Sequence, residues 1–135
     1  MPNQNRCITY FSITGDFDPD MVTSLLQIKP ECSWKIGDLR ANGTRYDFSA
    51  WHGPTCREYD WETGNQMRKA IAPFVAKTAL LNRLLSERSV MFTLEVVPEL
   101  VTSESTPALA PPLDVIDFCH ATRTRIDIDL YLHEE

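Results

Sequence analysis

The sequence predicts an α+β fold, a two-layer sandwich in which a mixed or mainly antiparallel sheet carries its helices on one face. Three observations carry that expectation. Segments with strand-like alternation are interleaved with segments of helical spacing along the whole chain. Residues 125–133 alternate strictly, with Ile126, Ile128, Leu130 and Leu132 against Asp127, Asp129 and Tyr131, a pattern that a sheet buried on both faces does not need. Finally, 135 residues with 43% hydrophobic and 24% charged side chains fit one globular domain, residues 1–135, with one core. The apolar row of the last strand is expected to face the helices, leaving the other sheet face open to water or to a partner.

Residues 7–14 are rich in β-branched and aromatic side chains and read as the first strand, closed by Gly15. Asp18 is a good N-cap, Pro19 suits the first helical position and Asp20 puts negative charge in the first turn. Met21, Val22, Leu25, Leu26 and Ile28 follow at helical spacing until Pro30 stops the helix. Residues 34–38 read as a short extended piece ending in a turn, and Asn42-Gly43 as a turn tip. Residues 45–52 alternate Tyr46, Phe48 and Ala50 against Asp47, Ser49 and Trp51, which fits a strand, with a further short strand expected over 56–61. Residues 63–87 form the main helical region. Met67, Ala70, Ile71, Phe74, Val75, Leu81, Leu84 and Leu85 make a core-facing stripe, and Pro73 predicts a kink or two consecutive helices. A half-buried strand over 89–97, a proline-rich loop over 101–112, a helix over 113–121 and the strand over 125–133 complete the order.

Charge narrows the function classes. Thirteen Lys and Arg stand against nineteen Asp and Glu, a net charge of −6, which argues against nucleic acid or an anionic membrane as the main partner. No stretch approaches the length of a membrane span, and no apolar signal-like segment follows the start. Cys7, Cys32, Cys56 and Cys119 form no C-x-x-C pair. They read as reduced, mostly buried thiols of a cytoplasmic protein, with no cofactor or metal called for.

The stretch Tyr10-Phe-Ser-Ile-Thr-Gly-Asp-Phe-Asp-Pro-Asp-Met-Val-Thr, continued by Leu25-Leu-Gln-Ile-Lys-Pro-Glu-Cys-Ser-Trp-Lys-Ile-Gly-Asp, resembles a bacterial family, Domain of Unknown Function 4279. The closing strand with Ile126-Asp-Ile-Asp-Leu-Tyr is similar as well. The resemblance extends over nearly the whole chain, with its strongest motif in residues 10–38. It implies no activity and no catalytic residues.

Asp16, Asp18 and Asp20 look like the start of a calcium loop, but Met21 and Gln27 occupy the positions where Gly and a bidentate Glu are required. Helix capping accounts for Asp18 and Asp20; a ligand loop, with Trp34 as a stacking platform, is the alternative. Asp127 and Asp129 leave one sheet face about 6.6–7 Å apart, a spacing also suited to acid/base pairs. Tyr131 continues their row, and Glu95 with Thr93, Tyr10 and Trp51 are expected beside it. Acidic groups interleaved with aromatics suit a protein-binding surface. Charge is uneven: residues 94–135 carry nine acids and two bases, residues 65–93 one acid and five bases. A Cys–His nucleophile pair is conceivable where Cys119-His120 meets Trp51-His52 in space, although Cys119 and His120, adjacent on a helix, do not easily pair with each other and Cys119 reads first as a core residue. The expectation is a non-enzymatic acidic protein that binds a protein partner, in the manner of an immunity protein masking a basic toxin domain. The alternative is a small-molecule-binding protein or hydrolase-like enzyme using Asp127 and Asp129. An exposed sheet edge leaves room for a homodimer.

Overall fold

The computed structural model describes residues 4–134. The elements are β1 (Arg6–Gly15), α1 (Pro19–Leu26), β2 (Cys32–Trp34), β3 (Ser49–His52), α2 (Thr63–Val75), α3 (Thr78–Glu87), β4 (Val90–Val101), α4 (Leu113–Thr122), β5 (Arg125–Ile128) and β6 (Tyr131–His133). The sheet runs β2-β3-β1-β4-β5, with β6 also on β4. All pairs are antiparallel except those of β5 and β6 with β4, which are parallel. This is the mixed α+β sheet that the alternation predicts.

Local chemistry explains the best-defined unit. The Asp18 side chain accepts from the Asp20 N–H at 3.0 Å, Pro19 opens α1, and Gln27 closes it in the left-handed region. Gly15, at φ 146°, ends β1 against Ser89, where a Cβ would collide with the backbone carbonyl. Pro73 lies inside α2, and the break comes just after it: the Lys77 N–H returns to Phe74 O at 2.8 Å and α3 begins at Thr78. Thr78, off the apolar stripe, bonds Val75 O through its hydroxyl.

The helices bury one sheet face. Phe11, Ile13, Trp51, Phe92, Leu94 and Val96 from the strands meet Val22, Leu26, Met67, Phe74, Leu81 and Phe118 from the helices. Phe11 is central, 4.5 Å from Phe74 and 5.5 Å from Phe92 between ring centroids. Gln66 lies fully buried beneath β1. It accepts from the Thr9 hydroxyl at 2.8 Å and donates to the carbonyls of Cys7, Cys56 and Glu58. That one amide fastens residues 56–58, where the sequence predicts a strand, with only a single bridge between Thr9 and Cys56. The strand expected over 45–52 shortens to β3, because residues 38–46 fold back on themselves through Arg40 N–Thr44 O and Tyr46 N–Asp38 O bonds around the Asn42-Gly43 tip. The strand expected over 89–97 runs on to Val101, since Arg6 and Cys7 keep pairing with Glu99 and Pro98.

Two expectations are corrected. Trp51 is not on the open face: it is fully buried among the helices, its indole N–H bonded to the Thr23 hydroxyl at 2.9 Å and its ring edge-on to Phe74. The final apolar row does not all reach the helical layer either. The strand is interrupted between β5 and β6, Ile126 is half-buried, and Ile128, Leu130 and Leu132 are 37%, 51% and 66% exposed. The helices cover the centre of the sheet and stop short of this edge. No helix among the described residues is long and apolar enough to cross a membrane.

Candidate functional site on the open sheet face

Strand register decides what meets on the uncovered face. One row crosses the whole sheet: Cys32 opposite His52, His52 opposite Ser12, Ser12 opposite Thr93, and Thr93 opposite Arg125. The next row sets Tyr10 opposite Glu95 and Glu95 opposite Asp127. Ser12 and Thr93 are 3% and 4% exposed although no helix covers them. Their short side chains form the floor of a groove whose walls are taller neighbours. The groove holds about 550 Å³ and is lined by Thr14, Phe48, Met91, Glu95 and Arg125, among others.

One end is acidic. Burial first, and then the charge of Asp127 and a hydrogen bond with it, push the Glu95 carboxyl up to about 7; Arg125 opposes this and Asp129 adds to it. Glu95 therefore still holds its proton about half of the time near neutral pH. Asp129 anchors the turn after β5 through its N–H to Val96 O at 2.8 Å, and its carboxylate accepts from the Tyr131 hydroxyl at 3.1 Å, which raises the Tyr131 pKa. Tyr10 has its hydroxyl pKa raised by burial and then by Glu95, Cys32, Asp129 and Asp127, so the acidic groups converge on it. The expected neighbours Asp127, Asp129, Glu95 and Tyr10 are thus brought together, with Tyr131 beyond Asp129.

The β2–β3 side of the same sheet face is aromatic. Tyr10 lies 4.7 Å from the His52 ring, and Trp34 stands edge-on to His52 at 5.3 Å. Trp34 stacks on Tyr46 at 4.4 Å and donates its indole N–H to Phe48 O, and the Arg40 guanidinium lies over the Tyr46 ring at 4.4 Å. Cys32 Sγ is 3.3 Å from His52 Nδ1. Burial, then Glu31, raises the Cys32 pKa, and burial lowers that of His52. The pair rests as neutral thiol and neutral imidazole rather than as an ion pair.

The family profile described as Domain of unknown function (DUF4279) matches residues 5–133. The chain belongs to the DUF4279 family. Comparison with curated proteins and with solved structures finds no match.

In this DUF4279 chain the thiol that meets a histidine is Cys32, twenty residues from His52 in sequence and beside it only through the β2–β3 register. Cys119 is buried in the core, and burial pushes its thiol up to about 11. Asp16, Asp18 and Asp20 stay at the β1–α1 turn, where Asp18 caps the helix. Among the described residues no group of three or more His, Cys, Asp or Glu side chains is arranged to hold a metal ion. The four cysteines are free thiols.

Proposed function

We propose that this protein acts by binding, and that its open sheet face seats a basic segment of a protein partner. The observation that carries the reading is the Glu95–Asp127 pair. Two carboxyls are held together, Glu95 on the groove wall and Asp127 opposite it on β5, with Arg125 as the opposing cation, and Glu95 keeps its proton up to about pH 7. An incoming lysine or arginine side chain would supply the missing charge, release that proton and turn an unfavourable pair into a charge-assisted contact. Tyr10, Trp34 and Phe48 offer flat apolar surface beside it, the combination that interface hot spots use. The excess of acid in residues 94–135 would speed encounter with a basic partner. An inhibitor that masks a basic toxin domain is one protein of this kind, and we propose that role as the partner class.

The test is calorimetric titration with a hexa-arginine peptide at pH 7, in two buffers of different ionisation enthalpy. The reading expects about half a proton released per peptide bound, because Glu95 is about half-protonated at pH 7, with binding that weakens with salt and is lost when Asp127 and Asp129 are both changed to Lys. Absence of binding at low salt, or binding indifferent to salt and to both substitutions, defeats it. The groove volume of about 550 Å³ supports a second reading, a small-molecule ligand lodged over Ser12 and Thr93. A neutral fragment that perturbs the NMR signals of those two residues, with the peptide inert, would favour it.

A further inference from the structure

We propose that β5 is a self-pairing edge, and that its occupant is β5 of a second copy of this chain, joined antiparallel across a two-fold axis at Ile126. Three observations meet there. First, β5 ends the sheet. The Asp129 N–H bonds Val96 O, so by the alternation of a parallel ladder Arg125, Asp127 and Asp129 turn their backbone groups toward β4. Ile126 and Ile128 turn theirs outward. Second, the aliphatic side chains of this edge are left uncovered by the helices: Ile128 and Leu130 are 37% and 51% exposed, and Ile116 on neighbouring α4 is 42% exposed.

Third, the charges choose both the partner and the register. An edge can exchange hydrogen bonds only where outward-facing residues oppose one another. With Ile126 opposite Ile126 of the second copy, Arg125 faces Asp127 of the second copy, and Asp127 faces its Arg125. Both are close, non-hydrogen-bonded cross-strand pairs of opposite charge. Sliding the copies by one allowed step places Arg125 against Arg125; sliding them the other way places Asp127 against Asp127. Like charges opposed in this way are destabilising. A single register is therefore self-complementary, as an isologous two-fold contact requires. In it the two Ile126 side chains lie side by side on the helical side, and the two open faces become one continuous surface. A strand of four residues makes a small interface, so the dimer belongs to the weak class, with dissociation in the micromolar range.

Sedimentation velocity over 1–300 µM protein tests this. The wild-type chain is expected to shift from monomer to dimer within that range. Arg125→Asp alone and Asp127→Arg alone are each expected to stay monomeric, and the double variant Arg125→Asp/Asp127→Arg to dimerise again. Ile128→Lys, checked for folding by circular dichroism, is expected to be monomeric without touching the groove. A monomeric wild type at 300 µM, a dimer that survives the single swaps, or a double variant that stays monomeric overturns the proposal. The inference shares Arg125 and Asp127 with the cation-binding reading, but Glu95→Gln alters the carboxyl pair and leaves the edge intact, so the two can fail separately.

Discussion

Replacing Glu95 with Gln should stabilise the protein, and only on the alkaline side. The folded state holds this carboxyl at about 7 against an ordinary value of 4.5. Between those values the native chain binds more protons than the unfolded one, so Glu95 makes stability fall as pH rises from about 4.5 to about 7. The full gap corresponds to at most ~3.4 kcal/mol, at 1.36 kcal/mol per tenfold change in proton affinity. Glu95 is only half-buried, and solvent screening reduces the usable part to ~1–2 kcal/mol. With a urea dependence of ~1.5 kcal/mol per molar for a chain of this size, the midpoint of Glu95→Gln should lie about 1 M higher than wild type at pH 8. At pH 4 the two proteins should unfold together. Urea titrations followed by tryptophan fluorescence at both pH values measure this directly. Asp127→Asn should reproduce only part of the gain, because burial, the largest single cause, remains when the Asp127 charge is removed. A Gln variant equal to wild type at pH 8, or offset by the same amount at pH 4 and pH 8, would refute the account of a strained carboxyl pair.

Other expectations concern separate parts of the molecule. Gln66→Leu leaves the Thr9 hydroxyl and the carbonyls of Cys7, Cys56 and Glu58 without this partner; it should cost ~2–4 kcal/mol by urea unfolding, and a loss under 1 kcal/mol would contradict the network. Asp18→Ala removes the cap of α1 and should cost ~1 kcal/mol, read as a drop in melting temperature at neutral pH. Iodoacetamide should label exposed Cys32 first, while buried Cys7 and Cys119 wait for unfolding. Peptide mapping by mass spectrometry decides the order, and early labelling of Cys119 would contradict its place in the core.

Legibility in the sequence followed the range of the forces involved. The β1–α1 unit was readable because Gly15, Asp18 and Pro19 act within a few residues of where they stand. The central strands were readable from alternation, and so was the meeting of Glu95 with Asp127 across neighbouring strands. What alternation does not tell is which of its two faces is the inner one. Alternation alone therefore places Trp51 on the wrong side: Tyr46, Phe48 and Ala50 share the parity of His52, and the larger indole takes the core. The Cys32–His52 contact depends on a β2–β3 register that no local pattern encodes. Gln66 was hidden for another reason, since a polar residue on a helical stripe reads as solvent-facing until the carbonyls it serves are known. The outer apolar row misled because periodicity reports a face of the strand, and whether a helix lies over that face depends on how far the helical layer extends.

The position of β1 in the sheet also sets a timetable. Of the described strands it is the first made, yet its longest partner is β4: 75 residues separate Gly15 from Val90, and 93 separate Arg6 from Glu99. At ~5–20 residues per second, a ribosome needs roughly 4 to 19 s to supply that partner. Until then Phe11 and Ile13 have β3 and helix α2 to pack against, but lack Phe92 and Leu94 of β4. Nascent chains therefore spend seconds with the centre of the core incomplete, and slow, non-local pairing of this kind favours aggregation over folding when chains are crowded. Substitutions that leave the finished protein equally stable, but make residues 6–15 stickier while they wait, should lower the yield of soluble protein.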